Sequence, residues 1–306
     1  VELPLPPSDP GAITRVAFLG TPQIAVPTLH AIHEAGFEIP LVVSGADKRR
    51  GRGKSTSPTP VKAAALELGL DVTTEVDDLL AAHGESPIDI AVVVAFGQII
   101  RPHVLEQIPM VNIHFSALPR WRGAAPVERA ILHGDPTTAI AIMSVAVGLD
   151  EGDVWAQVEV PITSTDTLGS LWSDMSVEGA RLLVDTLLAG FVEATPQVGE
   201  TIYARKLHSG DLMLDWSGPA EELHRIIRVG NAWTTYEGER FKIHEAELVD
   251  VGPSAGKIQD LVVGANRGGV RLITVQPAGK PRMDAAAWAN GAQPNGKTFT
   301  TEDMNG

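Results

Sequence analysis

From residue 13 to residue 188 the apolar positions alternate between two spacings. Ile13–Gly20 is a short apolar run closed by a glycine and reads as a strand. Thr21-Pro22 then opens a helix to about Glu34, in which Ile24, Pro27, Thr28 and Ala31 recur at helical spacing and Gly36 is a stop. Phe37–Ser44 reads as a second strand, and Pro60–Leu70 as a helix with Val61, Ala64, Ala65 and Leu68 on one face and Gly69 at its end. Ile88–Ala95 is nearly all β-branched, the mark of a strand buried on both faces of a parallel sheet. A short strand begins at Pro109, a helix covers 124–134, strands cover 138–147 and 154–160, and a long helix covers 167–188. This alternation predicts an α/β, Rossmann-like doubly wound domain with a mostly parallel sheet.

The spacing then changes. Gly190, Pro196 and Gly199 break regularity and make 190–207 a candidate linker. Leu214-Asp-Trp-Ser217 precedes and is expected to cap a helix over Ala220–Val229, with Leu223, Ile226 and Ile227 on its apolar face. Short strands at Arg240–Ile243, Ala246–Val249, Gly256–Leu261 and Gly269–Val275 predict a small β-barrel over 208–306. The division is therefore a disordered lead over 1–12, a first domain over 13–189, the linker, and a smaller β domain.

Composition narrows the chemistry. The chain has 306 residues and no cysteine, which excludes disulfides, thiolate metal sites and a cysteine nucleophile. No apolar stretch is long enough to span a membrane, and the N-terminus lacks the basic and apolar regions of a signal peptide, so a cytoplasmic, soluble protein is expected. The net charge of −14 argues against a general nucleic-acid coater. The charge is uneven, however: residues 1–202 hold 12 Lys and Arg against 25 Asp and Glu, whereas 203–306 hold 12 against 13. Within 47–62, six cations (Lys48, Arg49, Arg50, Arg52, Lys54 and Lys62) face one anion, Asp47. Gly53-Lys54-Ser55 is only a fragment of a phosphate loop, because Lys48 stands where the upstream glycine is required. A basic loop rich in glycine can bind phosphates, or can simply be a solvated loop.

Candidate chemistry concentrates in Pro109–Pro126. Strand alternation puts Val111, Ile113 and Phe115 on one face and Asn112, His114 and Ser116 on the other. An amide and an imidazole then project together near the carboxyl end of a buried strand, where open α/β sheets place their ligands. Leu118-Pro119 stops the strand, Gly123 permits a tight turn, and Pro126 suits a helix start. Phe96-Gly97-Gln98-Ile99 follows the central strand; it can hold a flat ring against backbone or be an ordinary connection. Gly148–Asp153 is a turn crowded with carboxylates, lacking the ligand spacing of a calcium loop. There is no histidine spacing of metal-site type.

Asn112-x-His114-x-Ser116-x-Leu118-Pro119, followed by Arg122-Gly-Ala-Ala-Pro126, resembles the folate-dependent formyltransferases. The longer Leu118–Pro126 string is most similar to their methionyl-tRNA branch, and Gln276-Pro-Ala-Gly-Lys280 matches a late motif of that branch. The resemblance covers roughly 13–300. It implies Asn112, His114 and Asp150 as catalytic groups, the last from the pattern Leu149-Asp150-x-Gly152. It implies a folate pocket along Phe96, Gly97, Gln98, Ile99, Ser116, Ala117, Leu118 and Pro119. Contacts to tRNA would come from Arg49, Arg50, Arg52 and Lys54, and from Lys280 and Arg282 on an OB-like C-terminal barrel. The implied reaction passes a formyl group from 10-formyltetrahydrofolate, as co-substrate, to methionyl-initiator-tRNA, with no metal; a monomer is expected. Residues just before Arg52 depart from the common Arg-Pro-Ala form of that loop. Two rivals are a formyltransferase or hydrolase acting on a small molecule, which would share the Asn/His/Asp triplet, and a non-catalytic RNA-binding protein.

Overall fold

The computed structural model describes residues 3–49 and 56–301. The chain packs as two units, one built from residues up to 126, 137–161 and 172–204, the other from 127–136, 162–171 and 205 onward.

The first unit is built on a seven-stranded sheet. In chain order its elements are β1 (Val16–Gly20), α1 (Val26–Glu34), β2 (Val42–Val43), a ribbon of β3 (Lys48–Arg49) and β4 (Thr56–Ser57), α2 (Pro60–Glu67), β5 (Val72–Thr73) and α3 (Asp78–Glu85). There follow β6 (Ile90–Val94), α4 (Pro102–Leu105), β7 (Met110–His114), β8 (Arg120–Gly123), α5 (Pro126–His133), β9 (Thr137–Ser144), β10 (Val154–Pro161), α6 (Leu168–Ala189) and β11 (Ile202–Ala204), of which α5 after Pro126 and the first turn of α6 belong to the second unit. The strand order is β10-β9-β7-β6-β1-β2-β5. Strands β5, β2, β1, β6 and β7 run parallel, and β9 and β10 complete the sheet antiparallel. The β-branched run expected to lie deepest is β6, in the middle of the sheet and buried at every position.

Differences from the sequence reading have local causes. The expected strand 37–44 shrinks to Val42–Val43 plus a bridge at Glu38, because Pro40 interrupts the ladder with no N–H to donate. Residues 190–207 are more than a tether: Thr195 bridges Val154, and β11 pairs with β8. Residues 3–12, expected to be disordered, have a defined path. The Phe191 N–H donates to the Pro7 carbonyl (3.0 Å), and Leu3 packs against the core formed by Leu79, Val104, Ile108 and Met110.

The second unit carries α7 (Ala220–Val229), β12 (Trp233–Tyr236), β13 (Glu239–Val249), β14 (Ile258–Gln259), β15 (Val262–Gly264), β16 (Gly269–Gln276), β17 (Met283–Asp284) and α8 (Ala285–Ala292). Its antiparallel sheet runs β12-β13-β16-β15-β14, with β17 also on β16. Thr300 bridges Thr235 on β12 and Thr298 bridges Lys257 beside β14, so one terminal segment joins both edges and closes the barrel. Arg240–Ile243 and Ala246–Val249 form one strand, β13, bent by irregular pairing at Ile243–Ala246. Leu214 and Trp216, expected to cap α7, are core residues: the Trp216 ring stacks on Phe299 and its indole N–H donates to Thr234 Oγ1 (2.9 Å). The residue before α7 is Pro219, with no side-chain cap.

Candidate active site

Parallel register aligns Gly20 with Val94 and Val94 with Ile113. Thr21, Ala95 and His114 therefore leave the sheet at one end, the carboxyl end of β1, β6 and β7. The face alternation read from the sequence is present. Gly179 of α6 lies against Ile113, Ile140 and Phe115 on one side of the sheet. Met110, on the side shared by Asn112 and His114, joins the core with Leu79, Val104 and Leu105.

His114 is buried and both its nitrogens face protein groups. Nε2 lies 3.0 Å from the Trp121 carbonyl, which only accepts, so Nε2 carries a proton in that contact. Nδ1 lies 3.6 Å from Asp150 Oδ2. That gap is long for a direct bond and suits a proton passed by a small approach or through a bridging water. The same Asp150 Oδ2 accepts the Gly123 N–H at 2.8 Å. Asn112 is half-buried, and its amide has no protein hydrogen-bond partner among the described residues, which leaves it able to donate to a ligand oxygen.

The backbone around these groups is unusual. Ala95 (φ 47°), Trp121 (φ 63°) and Asp150 (φ 50°) all occupy the left-handed region without being glycine. Such conformations cost energy and persist where surrounding contacts impose them, often at functional sites. Gly123 (φ 115°) is required twice over, since a Cβ there would also stand 3.0 Å from the Ala204 carbonyl oxygen.

The sequence-predicted folate residues fall on two loops at this end of the sheet. Phe96 packs inward against the core beside Ile100, while Gly97, Gln98 and Ile99 are exposed, and Gln98 Nε2 donates to the Thr74 carbonyl (3.3 Å). Ser116 is fully buried and its hydroxyl donates to the Arg120 carbonyl (2.7 Å), so it braces the turn through Ala117, Leu118 and Pro119. Of the expected tRNA contacts, Arg50, Arg52 and Lys54 lie outside the described residues, and Arg49 is described only as part of β3. Lys280 and Arg282 are exposed on the β16–β17 turn of the second unit. There Gln276 Nε2 donates to the Lys280 carbonyl (2.9 Å), and His244 Nε2 contacts Gln276 Oε1 (2.9 Å). Burial, and then the charges of Arg282 and Lys242, hold the His244 imidazole below its ordinary pKa. Among the described residues, no group of three or more His, Asp and Glu could hold a metal ion, and no helix is long and apolar enough to cross a membrane.

Sequence reasoning missed Gln197. It sits in the stretch read as linker, 75 residues from its partner Arg122, and no local pattern marks it. The carbonyl of Trp121 and the N–H of Gly123 were equally invisible, since backbone groups carry no sequence signal.

A family profile described as "Formyl transferase" matches residues 14–187, and one described as "Formyl transferase, C-terminal domain" matches 206–293. The chain belongs to the formyl transferase family. The methionyl-tRNA formyltransferase of Paenarthrobacter aurescens (strain TC1) is 40% identical over 296 residues, 90% of this chain and 96% of that protein. That of Heliobacterium modesticaldum (strain ATCC 51547 / Ice1) is 40% identical over 305 residues, again 90% and 96%. These relatives place the chain among the methionyl-tRNA formyltransferases. Among solved structures, HypX from Aquifex aeolicus in complex with tetrahydrofolic acid is similar at a TM-score of 0.62 and 17% identity, over 90% of this chain and 46% of HypX, so this chain spans about half of HypX. WlaRD, a sugar 3N-formyl transferase, is similar at a TM-score of 0.64 and 18% identity, over 89% of this chain and 100% of that one. At these identities the likeness is one of fold.

Proposed function

We propose that this enzyme moves the formyl group of 10-formyltetrahydrofolate onto the α-amine of methionyl-initiator-tRNA, using Asn112, His114 and Asp150. The observation that carries the reading is the constellation at the carboxyl end of β7: an amide with no protein partner among the described residues, a buried imidazole two residues on, and a carboxylate 3.6 Å from that imidazole. The names of the relatives, 40% identical across 90% of the chain, support the choice of substrate.

The amine nitrogen attacks the formyl carbon and a tetrahedral intermediate forms with charge on its oxygen. Asn112 donates to that oxygen, and the His114 imidazole, once protonated at Nδ1 beside Asp150, adds positive charge next to it. The C–N10 bond then breaks, the folate nitrogen gains a proton, and the attacking amine loses one. Asp150, facing Nδ1, takes up or supplies the proton that His114 exchanges. The folate lies along Phe96–Ile99 and Ser116–Pro119, where backbone groups are its partners, since Ser116 is committed to its turn and Phe96 to the core. Arg49, Arg50, Arg52 and Lys54, with Lys280 and Arg282, bind tRNA phosphates and set its position. The enzyme works in the cytoplasm as a monomer.

The test is incubation with methionyl-initiator-tRNA and 10-formyltetrahydrofolate. Formyl-methionyl-tRNA from the wild type, lost in Asn112→Ala and made with a raised KM for tRNA in Arg52→Ala, supports the reading. Folate turnover with a small amine or water, and none with the tRNA, overturns it.

A further inference from the structure

Asp150 sits in a short turn after β9. It is flanked by Gly148 and Gly152, and its own backbone is left-handed at φ 50°. Besides the Gly123 N–H on its carboxylate and the Ser144–Asp153 backbone bond, a side chain elsewhere in the chain restrains it. Gln197 Nε2 donates to the Asp150 carbonyl (2.9 Å) and to the Gly152 carbonyl (2.7 Å). Its Oε1 accepts from Arg122 Nε (3.0 Å) and Nη2 (2.7 Å). Both amide protons and the amide oxygen are thus in use. The antiparallel bridge between Thr195 and Val154 delivers Gln197 to this place, and Arg122, largely buried, also lies 3.6 Å from Glu151 Oε1.

The position of Arg122 matters because of its neighbours in β8. Trp121 before it accepts from His114, and Gly123 after it donates to Asp150. Three consecutive residues of one strand therefore contact the imidazole, the Gln197 amide and the carboxylate. We propose that Gln197 is a positioning residue for formyl transfer. It locks the Asp150 turn to β8 and so sets the distance between Asp150 and His114. The inference rests on the reading of Asp150 as catalytic. A glutamine is needed: a glutamate could still accept from Arg122, but its carboxylate would face two carbonyl oxygens, and a methionine could do neither.

The experiment measures kcat and both KM values for Gln197→Glu, Gln197→Met and Asp150→Asn, and for Gln197→Met combined with Asp150→Asn, using radiolabelled formyl donor so that slow variants are read. The Gln197 variants are expected to lose on the order of 10- to 100-fold in kcat, with both KM values within about threefold, as a misplacement of roughly an ångström would cause. In the Asp150→Asn background, Gln197→Met is expected to cost less than about twofold, because the group it positions is gone. An equal loss in both backgrounds, or a loss confined to KM, overturns the positioning role. Wild-type kcat in the Gln197 variants beside a crippled Asp150→Asn also overturns it, and leaves the catalytic reading of Asp150 standing. Wild-type kcat in Asp150→Asn overturns that reading, and the proposal with it.

Discussion

Gly152→Ala probes the Asp150 turn from the backbone. A Cβ at Gly152 would stand 1.9 Å from the Ser144 carbonyl oxygen and 2.7 Å from its carbon. Ser144 ends β9, and its N–H donates to the Asp153 carbonyl (2.9 Å), so it is anchored to the sheet and to the turn itself. Side-chain carbons do not approach an oxygen within about 3 Å, so the turn must withdraw by about 1 Å. Misplacement on that scale costs about 100-fold in rate, or about 2.7 kcal/mol of barrier. The overpacking itself destabilises the fold by about 1–3 kcal/mol. Gly84→Ala is the matched control, since a Cβ in that turn of α3 meets nothing within 4 Å. It is expected to leave kcat unchanged and to stabilise by up to about 1 kcal/mol. The assay is steady-state formylation of methionyl-tRNA well below both melting temperatures, with circular dichroism confirming folding. A Gly152→Ala enzyme with kcat within twofold of wild type would refute the claim that this turn fixes the rate.

Burial raises the Glu128 pKa above its ordinary value, and its Oε2 is buried without a hydrogen-bond partner among the described residues. The folded state then holds this proton more tightly than the unfolded state. The burden of the buried carboxylate is absent below the unfolded pKa and grows as pH rises through the folded one. Glu128→Gln is therefore expected to raise Tm by about 2–4 °C at pH 8, with the gain vanishing near pH 4, as read by thermal scans across that range. Lys280→Ala with Arg282→Ala is expected to raise KM for tRNA about tenfold with kcat unchanged, and to lower the salt slope of binding by about 1–2.

The extent to which the sequence disclosed all this follows from physics. Strong periodicities were reliable: β6 needed only its run of β-branched residues, and α7 only its amphipathic face. Side-chain identity and alternation sufficed to put Asn112 and His114 on one face of β7. Features set by backbone conformation were hidden. Strand β8 was unreadable because Trp121 adopts φ 63° between Pro119 and Gly123, and a residue type does not announce such a conformation. The hairpin joining β12 to β13 turns on Glu237 (φ 51°) and Gly238 (φ 81°), a pair outside the usual Asn-Gly and Asp-Gly signals. Helix α8 is capped at its start by Asp284, whose carboxylate accepts from the Ala286 and Ala287 N–H groups, but its run of alanines carries no apolar period. Gln197 was missed because its role exists only across 75 residues of chain separation.

His114, held between the Trp121 carbonyl and Asp150, is the residue on which the proposed formyl transfer to methionyl-tRNA turns. The most direct measurement is the single-turnover rate of formyl-methionyl-tRNA formation by wild type and His114→Ala, with folate and tRNA binding measured on both. His114→Ala is expected to lower the rate by on the order of 100- to 1,000-fold, with both affinities within about threefold of wild type. An unchanged single-turnover rate, or a loss explained wholly by weaker binding, would contradict it.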